Sequence, residues 1–575
     1  MAENFDSKLP LKRFISMLRP DRRDIIYLLF YAVIAGAINL SLPLGIQAII
    51  GFLMAGTMSV SWVVLSIVVI LGVAFAGVLQ ILQLFITESL QQKIFTRSAQ
   101  EFAMRITRFK TESIQKYYPP DLVNRFFDTL TVQKGLPKIL LEMSAAVLQI
   151  IFGLILLSLY HPFFILLGSI LLILLGLIFR LTWEQALLTS LKESGFKYKV
   201  AHWLEEVARV FSTFKLAGNA QLPITNTDKL VTGYLHFRNK HFKVLVFQFS
   251  FILLFKITVV ASLLIIGSLL VINKEINLGQ FVASEIVIVL LLTSVEKLIL
   301  SMETLYDVLT GVEKIGQVTD IPIEEENNTT SLLSKNKGGL SVKIRRMNFH
   351  TRGERKALDD IFLQINTDEK VCIVGANASG KSVLLQIISG LYNETNGEIS
   401  YDGIPSVNIN RNELRVCIGD VLENEEIFSG TVIDNISLGR PGIDLSTIAR
   451  TCELVCLSPF IETLPEGYNT LLQDGSAIPR SAVRKILLAR ALVGFPRMLV
   501  ADDFSVGLDQ REVLRLSDNL LTKLKDCTLL AAVSREAVAA KFPRIIVLSG
   551  GKIVGDGSYE SLKNTEEFRK IFEHA

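Results

Sequence analysis

The sequence predicts a chain of two unlike parts, an α-helical membrane domain of six transmembrane helices with long cytoplasmic extensions and a C-terminal α/β domain. Three observations predict this. Apolar residues make up 50% of the 575 residues, and nearly all of the excess lies before residue 305. After Leu340 short β-branched strands alternate with helices. Residues 375–382 match G-x-x-x-x-G-K-[ST], a phosphate-binding loop. A chain of this length exceeds one ordinary domain.

Six apolar segments precede residue 305, each near the ~20 residues that a membrane-spanning helix needs. Buried core helices of a soluble protein are the alternative, but these would carry polar stripes at helical spacing, and few are present. We therefore predict a cytoplasmic segment over residues 1–24 and a membrane domain over residues 25–320. The six spans are Ile25–Leu53, Trp62–Ile86, Ile139–Tyr160, Phe163–Leu181, Val246–Ile272 and Leu278–Leu300.

The connections between the spans alternate between short and long. The short ones are almost uncharged, whereas residues 87–138 and 184–245 are rich in Lys and Arg, as is the segment before the first span. The positive-inside rule then predicts a multi-pass protein of the inner (plasma) membrane, with the N-terminus, the long connections and the C-terminal domain in the cytoplasm. The charged N-terminus and the long first span predict no cleaved signal peptide. A net charge of +3 gives no basic field for a nucleic acid.

The long connections are themselves helical in character. Two legs of about 25 residues would carry the turn between them roughly 35 Å from the membrane. The helix-breaking residues 117–120 (Tyr-Tyr-Pro-Pro) mark such a turn in the first connection. Within the spans, Glu142 and Glu285 are either candidates for the lining of a cavity or polar contacts between spans. The five cysteines all follow residue 340 and lack zinc-site spacing, which favours reduced thiols.

Residues 321–340 are polar and predict a linker, and residues 341–575 form the α/β domain. The phosphate-binding loop follows an apolar strand, residues 371–374, and opens into a helical run, so a chance glycine-rich turn is disfavoured. Lys381 would neutralise terminal phosphates, and the Ser382 hydroxyl would ligate Mg²⁺. The loop residues predicted to hold ATP are Gly375, Ala376, Asn377, Ala378, Ser379, Gly380, Lys381, Ser382 and Val383.

Further landmarks follow the loop. They are residues 428–435 (Phe-Ser-Gly-Thr-Val-Ile-Asp-Asn), 464–468 (Leu-Pro-Glu-Gly-Tyr), 486–492 (Ile-Leu-Leu-Ala-Arg-Ala-Leu), 498–502 (Met-Leu-Val-Ala-Asp) and 507–509 (Gly-Leu-Asp). With these motifs the chain resembles an ATP-binding cassette (ABC) exporter half-transporter over almost its full length. Residues 212–218 and 277–283 resemble segments of type I protein-secretion exporters.

The resemblance implies roles for individual residues and for partners. Asp502 would hold the Mg²⁺ hydration shell, and Asp509 lies in the loop that bridges the two domains of a dimer. The partner would be a second half-transporter, identical or different, and a type I secretion system would add a periplasmic adaptor.

Three residues depart from the family pattern at the catalytic side. Asp503 stands where the family has its catalytic glutamate, so its carboxylate is one methylene shorter. Ser534 replaces the histidine that contacts the γ-phosphate, and a hydroxyl cannot become cationic. Glu423 replaces a glutamine beside Mg²⁺; it can still ligate the metal but adds negative charge.

The signature segment departs most. The family's Leu-Ser-Gly-Gly-Gln reads here as Ile478, Pro479, Arg480, Ser481 and Ala482. Pro479 has no N–H, and Arg480 brings a long side chain to a place where close backbone approach is needed. The segment is then either disabled or uses Arg480 as a charge clamp on phosphate. Thr351 stands where an aromatic residue stacks on adenine, with Phe349 nearby.

These observations predict an ATP-dependent exporter that works as a dimer, with hydrolysis left open by the altered residues. The alternative is a non-transporting scaffold or regulatory subunit that binds ATP without turnover. An importer subunit is disfavoured, since importers usually keep membrane and ATP domains on separate chains.

Overall fold

The computed structural model describes residues 9–54, 60–115, 117–324, 338–350, 356–392, 396–422, 425–472 and 478–573. The chain divides into two compact units, Met1–Ile323 and Glu324–Ala575. Each unit has its own secondary-structure type, helical in the first and mixed α/β in the second. The predicted fold class is confirmed.

The described part of the N-terminal unit is built from helices. They are α1 (Leu9–Leu18), α2 (Arg22–Asn39), α3 (Ser41–Met54), α4 (Val60–Ile106), α5 (Thr111–Ile114), α6 (Pro119–Asn124), α7 (Asp128–Pro137), α8 (Ser144–Ser158), α9 (Pro162–Arg209), α10 (Phe211–Leu216), α11 (Leu222–Ser262), α12 (Ser268–Ile272) and α13 (Leu278–Thr319). Segments of wider, π-type winding join α7 to α8 and α11 to α12.

In the described residues, six helical stretches are long and apolar enough to cross a membrane, as the sequence predicts. They are Leu9–Met54, Val60–Ile106, Pro119–Ser158, Pro162–Arg209, Leu222–Ile272 and Leu278–Thr319. Helix α4 alone has 47 residues. At 1.5 Å per residue it is about 70 Å long, more than twice the ~30 Å of a hydrocarbon core. The spans therefore continue as long helical extensions beyond the membrane.

Local sequence explains where helices α6 and α13 begin. Tyr118 has an extended backbone (φ −89°, ψ 112°), as a residue before proline prefers, and Pro119 occupies the first turn of α6. Helix α13 begins with a capping box: the Asn277 side chain accepts from the Gln280 backbone N–H at 2.7 Å, and the Gln280 side chain accepts from that of Asn277 at 2.9 Å.

Helix α13 is the most buried of the spans. Half of its apolar window, 50%, is buried, against 11% for α4. Tyr306 is wholly buried and lies against Trp183 of α9 and His241 of α11. The apolar surface that the other spans leave exposed suits contact with lipid chains.

The C-terminal unit contains two larger sheets. Its strands are β1 (Val342–His350), β2 (Lys356–Ile365), β3 (Lys370–Val374), β4 (Asn396–Tyr401), β5 (Ile404–Pro405), β6 (Ile418–Val421), β7 (Gly430–Thr431), β8 (Leu471–Leu472), β9 (Met498–Asp502), β10 (Thr528–Ala532), β11 (Arg544–Ser549) and β12 (Lys552–Gly557). Its helices are α14 (Lys381–Ile388), α15 (Arg411–Cys417), α16 (Val432–Ser437), α17 (Leu445–Leu454), α18 (Ser458–Glu462), α19 (Arg480–Leu492), α20 (Gln510–Lys523), α21 (Glu536–Ala539), α22 (Tyr559–Leu562) and α23 (Glu566–Glu573).

The larger sheet has the order β12-β11-β3-β10-β9-β6 in the described chain. Neighbours from β11 to β6 run parallel, and β12 pairs antiparallel with β11 at one edge. A smaller antiparallel sheet has the order β2-β1-β4-β5. Strands β3, β9 and β10 are almost continuously apolar and buried, as expected for central strands of a parallel sheet covered on both faces.

Candidate nucleotide-binding site

The carboxyl ends of β3, β10, β9 and β6 meet at one edge of the larger sheet, because these four strands are adjacent and parallel. The phosphate-binding loop follows β3, Ser534 follows β10, and Asp502 ends β9. Residues that lie far apart in the sequence are thereby brought to one place. Crevices at the carboxyl edge of such sheets are where open α/β domains bind ligands.

The loop between β3 and α14 has the backbone that phosphate binding needs. Gly380 is the residue before α14 and has φ +104°, a conformation that side chains disfavour. Ala378 also lies at positive φ, +61°, and so carries backbone strain. The turn between β11 and β12 supports the loop, since the Gly551 N–H donates to the Ser379 carbonyl at 3.0 Å. The N-terminus of α14, with its positive dipole end, opens into this loop.

Lys381 lies over the loop. Its Nζ donates to the carbonyl oxygens of Gly375 at 2.7 Å and Ala376 at 3.0 Å. The loop, the start of α14, residues 356–357 and Gly550–Gly551 line an open groove of about 300 Å³. Lys356 adds a second cation to its lining, so the groove combines cations, a hydroxyl and helix N–H groups. These are the donors that a nucleotide polyphosphate requires.

Asp502 is the last residue of strand β9 and Asp503 follows it, and the two differ in exposure and backbone conformation. Asp502 is buried at 8% exposure, whereas Asp503 has turned out of the strand at φ +39°. One Asp503 carboxylate oxygen accepts from the Ser505 backbone N–H at 3.2 Å and also from the Ser505 hydroxyl. The carboxylate is thus held by its own turn, an Asx-turn.

The Arg484 side chain, from α19, forms hydrogen bonds with the backbone of this turn. It is buried, and its Nη2 donates to the carbonyl of Asp502 and, at 2.8 Å, to that of Asp503. Burial lowers the pKa of Arg484, and the carboxylates of Asp503, Glu425 and Asp502 oppose that shift. Burial likewise raises the pKa of Glu425 to about 7, with the negative charge of Asp420 adding to it. The part of this edge around Arg484 and Glu425 is therefore buried and charged.

Ser534 is exposed just after β10. The next residue, Arg535, donates from Nη2 to the Leu508 carbonyl at 3.0 Å, which ties this segment to the loop before α20. Asp509 caps α20: its side chain accepts from the Glu512 N–H at 2.7 Å, within a capping box. In this single chain Asp509 has a helix-capping role, and its carboxyl group is also exposed.

The signature segment forms the start of α19. Ile478 packs against the core, Pro479 is the N-cap residue, and Arg480 begins the helix with an exposed side chain. Ser481 is half-buried and Ala482 is buried at 3% exposure. Pro479 supplies no side-chain cap, and the exposed side chain at the start of α19 is that of Arg480.

Two predicted residues, Thr351 and Glu423, lie outside the described residues. Phe349 is in β1 and is buried at 6% exposure. Its ring packs against that of Tyr392, with centroids 5.1 Å apart. Phe349 is therefore part of the core of the smaller sheet, a placement that speaks against adenine stacking on its ring.

The fold brings together several polar residues that belong to none of the sequence motifs. Arg484 and Arg535 are examples in the C-terminal unit; a charged residue on the apolar face of α19 was the available signal for Arg484. In the N-terminal unit a mostly apolar cavity between α2, α4, α8 and α13 also contains five polar side chains, a different set from Glu142 and Glu285. They are Asn39, Gln80, Gln83, Gln149 and Lys297. Amide side chains inside apolar spans were the signal.

The fold and the site together define a class of protein: a P-loop nucleotide-binding domain joined to a helical membrane domain. Two family profiles agree with this class. One, described as "ABC transporter", matches residues 358–505. The other, described as "ABC transporter transmembrane region", matches residues 25–295. The chain belongs to the ABC transporter family, whose nucleotide-binding domains are ATPases that bind ATP with Mg²⁺.

Several curated relatives match the chain in part. The α-hemolysin translocation ATP-binding protein HlyB of Escherichia coli is 28% identical over 367 residues, 64% of this chain and 52% of that protein. The transport/processing ATP-binding protein ComA of Streptococcus pneumoniae is 30% identical over 304 residues, 52% of this chain and 42% of that protein. The chain spans about half the length of the curated relatives it matches.

The fold is also that of a solved transporter. A structure described as a bacterial Atm1-family ABC exporter with ATP bound superposes with a TM-score of 0.85. The match covers 96% of this chain and 98% of that chain, at 18% sequence identity. At this identity the likeness concerns the fold.

Proposed function

We propose that the chain is an ATP-dependent exporter half-transporter that works as a dimer in the inner (plasma) membrane. The observation that carries this proposal is the complete phosphate-binding loop, at the same sheet edge as Asp502, on a chain with six membrane-spanning helical stretches. ATP with Mg²⁺, when bound, would supply the free energy for closing two such domains on each other. Lys381 would neutralise phosphate charge, and Ser382 and Asp502 would hold the metal.

The helical extensions supply the means of coupling. Helices α6 and α10 lie at the turns between long helices, within the long connections that the sequence predicts to be cytoplasmic, where a soluble domain could push on them. Helix α10 presents large apolar side chains to its surroundings, with Phe211 63% and Leu216 87% exposed. Exposed apolar side chains of this size at a turn suit docking onto another domain.

Hydrolysis in this chain depends on altered residues. We propose that Asp503 acts as the base toward water and that Ser534 contacts the γ-phosphate. Each departure from the family pattern would remove a few kcal/mol of transition-state stabilisation, of the order that one electrostatic contact supplies. The Asx-turn that holds the Asp503 carboxylate, with its one methylene fewer, supports slow turnover.

Formation of a dimer would not remove the effect of these altered residues on the two ATP sites. In an ABC dimer each site combines the phosphate loop of one subunit with the signature segment of the other. In a homodimer each site would therefore combine the altered Asp503 and Ser534 with an altered signature segment. In a heterodimer this chain would affect one site through Asp503 and Ser534 and the other through residues 478–482. The exposed Arg480 guanidinium supports a clamp on phosphate across that interface.

For the cargo, the names of the relatives point to secretion. HlyB is named for α-hemolysin translocation, and another relative is named as a leukotoxin export ATP-binding protein. We propose a polypeptide cargo for this chain by this likeness, which would require a periplasmic adaptor in a Gram-negative cell. Genes for an adaptor and an outer-membrane channel beside this one would support that proposal; their absence would favour a lipid or drug cargo.

The test of the function is nucleotide binding and turnover by the purified full chain in lipid nanodiscs. Lys381→Ala should weaken binding of a fluorescent ATP analogue at least about tenfold, since the variant removes a phosphate-facing cation. Lys570→Ala, an exposed lysine on α23, serves as the matched control and should bind as the wild type does. Equal binding by the wild type and Lys381→Ala would overturn the assignment of the loop.

A second candidate function is a membrane scaffold or regulatory subunit that binds ATP without hydrolysing it. The Asx-turn at Asp503 and the proline at the N-cap of α19 favour it. The same samples distinguish the two functions. Steady-state ATPase activity that disappears in Lys381→Ala rejects the regulator, whereas ATP binding without any turnover rejects the active exporter.

A further inference from the structure

Three side chains of the types that ligate metals lie together in the N-terminal unit, outside the nucleotide-binding groove. Asp121, His202 and Glu205 each offer one ligand atom, and these atoms all lie within 4.8 Å of one another. Asp121 belongs to the first turn of α6, and the other two belong to α9. The cluster therefore joins the turn helix of the first long connection to the extension of the fourth span.

The spacing on α9 suits a metal site. His202 and Glu205 are three residues apart, so their side chains lie on one face of the helix, about one turn from each other. The same pair of residue types three apart, in the reverse order Glu-x-x-His, ligates metal in helical bundles. Asp121 reaches the same place from α6.

Three atoms of the cluster have unmet polar requirements. Asp121 Oδ1, His202 Nδ1 and Glu205 Oε2 are shielded from solvent and form no hydrogen bond with the described residues. A buried carboxylate oxygen or ring nitrogen without a hydrogen-bond partner destabilises the folded state, and three such atoms in one cluster add to this destabilisation. A cation among the three residues would satisfy two acceptor oxygens and a ring nitrogen together.

Neighbouring side chains orient the ligands. Asn124 donates from Nδ2 to Glu205 Oε1, which leaves Oε2 as the other acceptor of that carboxylate. The Tyr118 ring stands edge-on to the His202 ring, with centroids 5.7 Å apart and planes at 68°. The hydrogen bond from Asn124 is the kind of supporting contact that orients a metal-ligating carboxylate.

We propose that Asp121, His202 and Glu205 form a binding site for a divalent first-row transition cation of the zinc class. One imidazole and two carboxylates suit Zn²⁺, and the imidazole disfavours Mg²⁺, which prefers oxygen ligands. Ligands about 2.1 Å from zinc lie about 3.4 Å apart in a tetrahedron, so binding requires the ligand atoms to move closer by at most about 1.4 Å. Side-chain rotation on α6 and α9 supplies that movement.

Binding would fasten α6 to α9. These helices are otherwise joined near this point by polar contacts, including that of Asn124 with Glu205. A metal bridge would restrict the movement of the turn helix relative to the fourth span, independently of nucleotide. The inference goes beyond the proposed function and its test needs no transport activity.

The test is zinc retention by the full chain, purified in detergent with an affinity tag free of histidine. The protein is stripped with a chelator, equilibrated with Zn²⁺ against a chromophoric zinc indicator, and the zinc content is measured by mass spectrometry. The wild type should retain about one zinc ion per chain. Glu205→Gln and His202→Ala should each weaken binding by at least about 100-fold, and Asn124→Ala by about 10- to 100-fold.

His236→Ala is the matched control, because His236 is an exposed histidine on α11 outside the cluster. It should retain zinc as the wild type does. Glu205→Gln keeps the shape of the side chain, and an unchanged size-exclusion profile confirms that it folds. Equal retention by Glu205→Gln and the wild type, absence of retention by the wild type, or displacement of the zinc by millimolar Mg²⁺ would each overturn the proposal.

Discussion

At the residue scale, the chemistry of the site depends on how the turn after β9 holds Asp503. The residue lies at φ +39°, its carboxylate accepts from Ser505, and Arg484 holds its carbonyl. A side chain one methylene longer would carry its carboxylate past the Ser505 contact. With Asp503 as the proposed base, the length of this side chain and the turn together would set the turnover rate.

We expect Asp503→Glu to raise the steady-state ATPase rate at least about tenfold, because a longer carboxylate reaches further from the turn toward an attacking water. Asp503→Asn should lower the rate about 100-fold, since the amide cannot accept a proton. Asp503→Asn keeps an oxygen that can accept from Ser505, whereas the longer side chain of Asp503→Glu extends past that contact. The rates are measured with a coupled assay on the full chain in nanodiscs.

Asp518→Asn, which changes an exposed carboxylate on α20, is the control and should leave the rate unchanged. If Asp503→Asn retains the wild-type rate, Asp503 is not the base. If Asp503→Glu is no faster than the wild type, the length of the side chain does not limit turnover.

At the element scale, the start of α19 and the loop after β9 are packed without spare room. Gly507 has φ +77°, and a Cβ added there would lie 3.2 Å from the Cβ of Arg480. The family has a glycine, which lacks a Cβ, at the position of Arg480. In this chain Arg480 carries a Cβ, and the absence of one at Gly507 leaves room for it. The two elements have to be considered as one unit.

Gly507→Ala should lower the free energy of unfolding of the C-terminal unit by about 2 kcal/mol, through backbone strain and the contact with Arg480. Gly439→Ala is the matched control, with φ +67° and nothing within 4 Å of the added Cβ, so it reports the strain alone. Arg480→Gly in the Gly507→Ala background should recover the difference between the two variants. Equal losses in Gly507→Ala and Gly439→Ala would contradict the proposed contact.

A thiol-reactive fluorogenic dye suits this measurement. All five cysteines belong to the C-terminal unit, and Cys372, Cys417, Cys452 and Cys527 are buried. Burial also raises the pKa of the Cys372 thiol, which further slows its reaction in the folded state. Dye fluorescence during a urea titration therefore reports unfolding of this unit and not of the helical one.

At the scale of the whole molecule, the proposed orientation assigns opposite sides of the membrane to two exposed turns. The turn before α13 contains Lys274, and α10 ends at Leu216, which is 87% exposed. In the proposed topology Lys274 faces outward and Leu216 faces the cytoplasm. Both side chains are accessible to a reagent on their own side.

Lys274→Cys should react with a membrane-impermeant maleimide in intact spheroplasts, whereas Leu216→Cys should react only after permeabilisation. The wild type gives the background from its native cysteines. Labelling of Leu216→Cys in intact spheroplasts, or protection of Lys274→Cys there, would reverse the orientation. Labelled bands are quantified by gel fluorescence.

The sequence predicted features whose information is local. The phosphate-binding loop is a run of eight residues with its own strand and helix, and each span shows its length and apolarity directly. The placement of Phe349 in the core, the hydrogen bond of Arg484 to the Asp503 carbonyl and the cluster of Asp121 with His202 and Glu205 depend on contacts between distant segments. A pattern along the chain carries no signal for such contacts, since they arise only when α6 meets α9 or β1 meets its neighbours.

The length of the helical extensions has a mechanical consequence. Helix α9 has 48 residues in one unbroken run, about 72 Å, so it behaves as a stiff lever. A tilt of about 5° about one end displaces the other end by about 6 Å, close to the rise of one helical turn. A small change of angle in the bilayer therefore becomes a displacement large enough to move one helix past a neighbour by a full turn at its far end.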